Sequence, residues 1–304
     1  MPIKIPRNLP ARTQLEAEGV ILIDESLAVR QGTRPIKIGL LNLMPNKIRT
    51  ETQFARLLGA TPLQVNLILV KITKHISRNT SNNHIISFYQ NWEDIRNQRF
   101  DGFIITGAPI EKLKYEEVTY WEEMRHIFDW TQTNVHECLN ICWGAQAAVY
   151  HFYGMQKYDL PKKAFGVFPH YAVDQTSPYL LGFSDNFFVP TSRWTEVRAD
   201  DIPVDSGIKI LVVSKDTGLC LLDDQQHRSL HMFNHIEYDL SSLSEEYFRD
   251  LKRGESTEMP YNYFPNNDAS LVPENLWHNE AKLLFYNWLN NIYQTTPFNL
   301  REGE

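Results

Sequence analysis

The stretch Val135-His-Glu-Cys-Leu-Asn-Ile-Cys-Trp-Gly-Ala-Gln-Ala-Ala-Val149 is apolar up to Cys142 and then becomes a run of small residues able to start a helix. A strand that breaks into a helix at one residue reads as a nucleophile elbow. The sharp turn lifts the apical side chain clear of the sheet and aims the next backbone N–H groups at whatever that side chain attacks. Here the apex is a thiol, and the helix N-terminus beneath it favours the thiolate, the nucleophilic form. Taken alone, a buried core thiol is the commoner fate of such a cysteine, so the surrounding sequence decides.

Apolar runs and helical patterns alternate on the N-terminal side of the elbow. Ile36 to Leu43 is a buried-strand candidate, followed by helical spacing from Pro45 to Leu58, a second strand over Gln64 to Ile72, a short amphipathic helix near Asn91 to Gln98, and a third strand from Phe100 to Thr106. The elbow strand is the fourth. Such alternation predicts an α/β fold with a mostly parallel sheet flanked by helices and a functional crevice at the carboxyl ends of the strands, where Thr106-Gly-Ala-Pro109 and Cys142 both fall. Beyond residue 155 the alternation weakens. Lys157 to Pro203 is rich in Pro, Tyr and Phe and reads as loops and short strands over the site. Three closing strands are expected at Lys209–Val213, Leu219–Leu222 and Leu230–Asn234, and two helices at Ser244–Lys252 and Asn275–Tyr293. The organisation expected is an N-terminal extension over 1–35, wrapping the outside or joining a dimer contact, one domain over 36–296, and a tail over 297–304.

The chain has 304 residues, 42% hydrophobic and 22% charged, enough for a large core. A net charge of −7 argues against an extended electrostatic surface for nucleic acid, and the ten histidines are not grouped at metal-ligand spacings. Three cysteines cannot form a disulfide framework, the N-terminus lacks the apolar core of a signal peptide, and no window approaches the roughly twenty apolar residues a membrane span needs. A cytoplasmic protein with no metal and no membrane association is expected.

A nucleophilic thiol needs a base and an acid to orient it. His231-Met-Phe-Asn-His235-Ile-Glu237 supplies a candidate: on an extended strand, His235 and Glu237 share one face, where the carboxylate can hold the imidazole in the tautomer that accepts a thiol proton. A solvated surface pair has the same spacing, and His231, His227 and His136 compete for the role of base. Attack of sulfur on a carbonyl also puts charge on oxygen. The amide of Trp143 points there by construction of the elbow, and those of Gly107 and Ala108 follow a strand expected beside it. An ordinary glycine turn would look the same.

The cysteine elbow, the later His-x-Glu and the Gly-Ala-Pro loop resemble the class I glutamine amidotransferase-like (flavodoxin-like) fold. More closely, Asn42-Leu-Met-Pro-Asn-Lys47, Thr50-Glu-Thr-Gln53, Thr106-Gly-Ala-Pro109, Asn140-Ile-Cys-Trp-Gly-Ala-Gln146, Phe165-Gly-Val-Phe168 and Asn234-His-Ile-Glu237 resemble the homoserine O-acyltransferases of the methionine pathway, often called homoserine transsuccinylases. The resemblance implies Cys142 as acyl-accepting nucleophile, His235 as proton acceptor, Glu237 as its orienting acid, and Lys163, Ser192 and Arg249 as substrate contacts. Arg249 fits a carboxylate-bearing substrate, because a guanidinium grips a carboxylate with two hydrogen bonds.

The chemistry so implied is ping-pong transfer of an acyl group from an acyl-CoA through an acyl-Cys142 thioester to the γ-hydroxyl of L-homoserine, with no bound cofactor and a homodimer as the default assembly. The resemblance also places Glu111 where succinyl-transferring members carry Gly and acetyl-transferring members carry Glu. A carboxylate there would fill space and repel the far carboxylate of a succinyl group, which selects acetyl-CoA. If Glu111 pointed to solvent with Lys112 and Lys114, the acyl preference would be open. The alternatives are a homoserine O-succinyltransferase, a glutamine amidotransferase, a cysteine hydrolase on the same fold, and a catalytically inactive relative.

Overall fold

The computed structural model describes residues 3–23, 35–74 and 80–296. Its strands are β1 (Ile3–Lys4), β2 (Leu22–Ile23), β3 (Ile36–Leu41), β4 (Val65–Lys71), β5 (Tyr89–Asn91), β6 (Phe100–Ile105), β7 (Val135–Ile141), β8 (Tyr158–Ala172), β9 (Asn186–Glu196), β10 (Ile208–Ser214), β11 (Gly218–Asp224) and β12 (Ser229–Met232). The α-helices are α1 (Ala11–Ala17), α2 (Lys47–Leu58), α3 (Asn82–Phe88), α4 (Trp92–Ile95), α5 (Trp121–Asn134), α6 (Trp143–Tyr153), α7 (Ser242–Lys252) and α8 (His278–Thr295). The strands form one sheet in the order β2-β1-β4-β3-β6-β7-β12-β11-β10-β8-β9, with β5 beside β4. Pairing is parallel from β2 through β12 and antiparallel from β12 onward to the β9 edge.

The central strands are buried on both faces, as parallel strands covered by helices must be. Alternate residues go to opposite sides. Leu40, Ile104, Leu139 and Ile141 join the side closed by Phe54 and Leu58 of α2 and by Leu284, Phe285 and Trp288 of α8. Leu41, Phe103, Ile105 and Cys138 join the side closed by Met124, Ile127 and Phe128 of α5 and by Trp143, Ala147 and Ala148 of α6. Asn46 starts α2 by accepting a hydrogen bond from the Arg49 amide, which satisfies one of the unpaired donors of a first turn.

Two expectations are corrected. Lys157 to Pro203 is not mainly loop: most of it is the long hairpin β8–β9, paired from Phe165↔Ser192 to Tyr171↔Asn186. β8 is mostly half-buried or exposed, the buried positions of β9 include Thr191, Arg193 and Thr195, and the hairpin carries Pro161, Pro169 and Pro190, so no continuous apolar run announces it. The N-terminal residues do not merely wrap the outside: β1 pairs with β4 and β2, and Ile3 and Leu15 are fully buried. Residues 24–34 and the tail over 297–304 lie outside the described residues.

Candidate active site

Three neighbouring parallel strands, β6, β7 and β12, end at the same edge of the sheet, and each hands the chain to one part of the site. Beyond β6 comes Gly107, beyond β7 comes Cys142, and three residues beyond β12 comes His235. Cys142 is the residue before α6, with φ 51° and ψ −117°, a conformation an L-residue adopts only under constraint. The constraint is visible. Cys142 donates its amide to Met232 O at 2.7 Å, and its carbonyl accepts from Gln146 N at 3.0 Å, the first hydrogen bond of α6. Gly144 lets α6 start this close to the sheet, since a Cβ there would lie 2.8 Å from the carbonyl oxygens of both Ile105 and Thr106.

The thiol is hydrogen-bonded to the His235 ring, and His235 Nδ1 donates to Glu237 Oε1 at 2.7 Å. The three groups are 5%, 3% and 6% exposed, so their mutual attraction is little screened by water. Burial alone would disfavour the imidazolium, but facing Cys142 and Glu237 outweighs it, and the His235 pKa is held well above the usual range for histidine. The pair forms in a turn, with Tyr238 N donating to His235 O at 3.2 Å, and not along one strand face as the spacing suggested. Tyr238 stacks on His235 with ring centroids 4.2 Å apart, covering one face of the imidazole.

Gly107 roofs the pair. A Cβ on it would meet Cys142 Cβ at 3.1 Å, His235 Cε1 at 3.4 Å and Cys142 Sγ at 3.6 Å, so a bare backbone lies against both side chains. The amide of Trp143, in the first turn of α6, has no carbonyl one turn earlier in its own helix to bond. The competing histidines are occupied elsewhere: His231 and His227 both face Asp224, and His136 bonds Thr295 Oγ1 at 2.7 Å.

Lys163, Ser192 and Arg249 converge on one group that sequence reasoning did not single out. Glu246 on α7 accepts from Lys163 Nζ at 2.6 Å and from Ser192 Oγ at 2.9 Å, and Arg249 Nη2 lies 3.7 Å away. Asp250 completes the cluster, 2.7 Å from Arg249 Nη2 and 3.7 Å from Lys163 Nζ. In a sequence Glu246 is one acid among several on an amphipathic helix, and only the tertiary approach of β8 and β9 marks it. α7 is itself anchored, because Arg49 of α2 bonds Asp239, Ser241 and Glu245 at its start.

Glu111 does not point to solvent with Lys112 and Lys114. Burial raises its pKa; a hydrogen bond from the Trp194 amide and the nearby charges of His235, Arg193 and Lys163 act in the opposite sense without cancelling it. Its Oε2 is buried with no hydrogen-bond partner, and Lys112 turns instead onto the Trp194 ring, 3.7 Å from its centroid. Glu111 therefore belongs to the same charged neighbourhood as the thiol–imidazole pair and the Glu246 cluster. No group of metal-ligating side chains is assembled among the described residues, and none of their helices is long and apolar enough to cross a membrane.

Solved structures share this architecture at low sequence identity. A glutamine amidotransferase from Thermotoga maritima superposes with a TM-score of 0.55 at 12% identity, covering 86% of this chain and 100% of that one. One from Methylobacillus flagellatus gives 0.55 at 12%, covering 85% and 95%. At such identities the likeness speaks for the fold: α/β, mostly parallel, of the class I glutamine amidotransferase type. Sequence relatives are nearer. Proteins named homoserine O-acetyltransferase from Brucella canis and Brucella abortus are each 63% identical over 300 residues, covering 99% of this chain and 98% of the relative. The family model described as homoserine O-succinyltransferase matches residues 2–298, and the chain thus belongs to the homoserine O-succinyltransferase family of acyltransferases.

Proposed function

We propose that this chain is a homoserine O-acetyltransferase of methionine biosynthesis, a cytoplasmic homodimer that uses acetyl-CoA as co-substrate and holds no bound cofactor. The observation that carries the chemistry is the buried Cys142–His235–Glu237 array under the bare Gly107 backbone. The substrates follow from the family and from the name borne by relatives that match along almost the whole chain.

Cys142 Sγ, as thiolate, attacks the carbonyl carbon of acetyl-CoA, and the oxyanion is received by the amides of Trp143 and the Gly107–Ala108 loop. Collapse breaks the bond to the CoA sulfur, which leaves with the proton from the His235 imidazolium. The acetyl group is then a thioester on Cys142. Neutral His235, oriented by Glu237, takes the proton of the homoserine γ-hydroxyl as its oxygen attacks; the Cys142–acyl bond breaks and the thiolate–imidazolium pair returns. Arg249 and Lys163 supply cations for the homoserine carboxylate, and Glu246 or Asp250 an anion for its ammonium. Glu111 lines the acyl side, where its bulk and charge exclude succinyl and admit acetyl.

The test is CoA release from acetyl-CoA and succinyl-CoA, with and without L-homoserine, together with the intact mass of the protein after each donor alone. Homoserine-dependent turnover of acetyl-CoA, and a single acetyl adduct absent from Cys142→Ala, are expected. Turnover of succinyl-CoA instead would discard the role of Glu111. No adduct with either donor, together with ammonia release from glutamine, would replace the reading by an amidotransferase.

A further inference from the structure

The donors that the family resemblance gives to the substrate already hold a carboxylate. Lys163 Nζ, Ser192 Oγ and Arg249 Nη2 converge on a single oxygen, Oε1 of Glu246, at 2.6, 2.9 and 3.7 Å. They come from three elements, β8, β9 and α7, and the register Phe165↔Ser192 brings the two strands together there. Two cations and a hydroxyl around one carboxylate oxygen are the partners an amino-acid carboxylate requires. The protein fills that seat with a side chain of its own.

The charges of the cluster balance. Lys163 and Arg249 are its cations and Glu246 and Asp250 its anions, with side chains 13%, 49%, 16% and 6% exposed. Three of the four are largely withdrawn from water, so a further charge brought in alone would lack a partner. A bare carboxylate would make a third anion, and a bare amine a third cation. A zwitterion adds one of each and leaves the balance as it was.

The two acids are not equivalent. Asp250 Oδ1 accepts from Arg249 Nε at 2.8 Å and lies 2.7 Å from Nη2, so its near contacts belong to the next residue of its own helix, and it stands 3.7 Å from Lys163 Nζ. Asp250 fixes the guanidinium. Glu246 reaches across to both strands, and its extra methylene lets it withdraw its carboxylate by rotation of its own side chain. α7 need not move, because Arg49 ties its start to Asp239 and Glu245, and Gln53 Nε2 donates to Ser242 Oγ at 2.9 Å. Lys163 keeps a partner when Glu246 leaves, since its Nζ also lies 4.2 Å from the centroid of the Phe165 ring.

We propose that Glu246 sets the acceptor specificity: its Oε1 occupies the carboxylate seat made by Lys163, Ser192 and Arg249, and it yields that seat in exchange for the ammonium of an α-amino acid. An acceptor with a carboxylate but no α-ammonium must displace Glu246 and gives it no partner, so it binds poorly even with the same hydroxyl. The proposal rests on the reading of L-homoserine as acceptor and names the group that separates it from a simple hydroxy acid.

The test compares L-homoserine with 4-hydroxybutyrate, the same molecule without its α-ammonium, as acetyl acceptors for wild type, Glu246→Gln and Asp250→Asn. CoA release gives kcat/KM, and the burst from acetyl-CoA alone is recorded for each protein. Glu246→Gln keeps an acceptor oxygen for Lys163 and Ser192 and loses the charge. Its kcat/KM is expected to fall about 10- to 100-fold for L-homoserine and to rise about 10-fold for 4-hydroxybutyrate, so the preference collapses from both sides. A structural tie would lower both acceptors alike; that result overturns the proposal, as does a 4-hydroxybutyrate value that fails to rise. Collapse of the preference in Asp250→Asn with its survival in Glu246→Gln makes Asp250 the partner of the ammonium and overturns it equally. If Glu246→Gln does not accumulate, the wild type decides: butyrate is expected to inhibit about 100-fold more weakly than L-2-aminobutyrate, and equal inhibition refutes the exchange. An acetyl burst without any turnover of L-homoserine in wild type marks a different failure, that of the acceptor assignment, and takes the proposal with it.

Discussion

Replacing Glu237 by Gln removes one charge from the His235 side of the site and leaves its volume. In the native site Glu237 Oε1 lies 2.7 Å from His235 Nδ1, and both side chains are almost wholly buried. With charge centres about 4 Å apart, the attraction that stabilises the imidazolium is at most about 4 kcal/mol at an effective dielectric near 20, or about three pKa units. The amide dipole and local relaxation recover part, leaving a loss of about one to two units. The sign follows from the direction of the native shift. His235 is held above the usual value, so its proton persists to high pH; without Glu237 it leaves earlier, and the thiolate–imidazolium pair fails at lower pH. The descending limb of kcat/KM for acetyl-CoA against pH is therefore expected about one to two units lower in Glu237→Gln, and kcat reduced about 100-fold or more because the amide also permits the wrong tautomer. Stopped-flow release of CoA in the absence of homoserine isolates this half-reaction. An unchanged descending limb with unchanged burst rate would refute the assignment of Glu237 as the orienting acid.

Glu111→Gly is expected to admit succinyl-CoA, raising its kcat/KM about 100-fold or more, given that like charges about 4 Å apart cost about 4 kcal/mol at the same dielectric. Burial raises the Glu111 pKa, so its charge appears only at higher pH than for an ordinary glutamate; wild-type discrimination against succinyl-CoA should widen as pH rises through that value and narrow below it, as competition between the two donors would read. Arg249→Leu should raise KM for homoserine by about 10- to 100-fold, the worth of a charged hydrogen-bond pair, while the acetyl burst stays intact; loss of the burst as well would place Arg249 elsewhere in the reaction. Gly144→Ala forces a Cβ to 2.8 Å from two backbone carbonyls that cannot rotate away, and should cost about 1–3 kcal/mol of stability, visible as a lowered thermal midpoint.

The elbow was legible because a buried parallel strand and a helix start leave opposite signatures, β-branched and apolar against small, and Cys142 stands between them. The Gly107 turn was equally plain in position, though the roof it makes over the thiol appears only when β6 and β7 are paired. His235 and Glu237 do meet, but in the turn after β12 and not along one strand face, because a spacing of two fits a strand or a turn alike. The β8–β9 hairpin escaped notice because half-solvated strands with prolines have no apolar period. Glu246 could not be found from the chain alone, because it acquires its meaning from Lys163 and Ser192, each more than 50 residues away, and no local pattern encodes such a meeting.

The order of the strands in the sheet also has a consequence for biosynthesis of the chain. β7 pairs on one side with β6, which precedes it, but on the other with β12, matching Cys138 to Ser229. Emerging from the ribosome, the cysteine would wait for about ninety further residues before its imidazole arrives, a long loop closed late. Until then Cys142 has neither the His235 ring beside its thiol nor the Met232 carbonyl that accepts from its amide. The geometry around the thiol therefore exists only once residues about ninety positions later have been made and β12 has paired with β7.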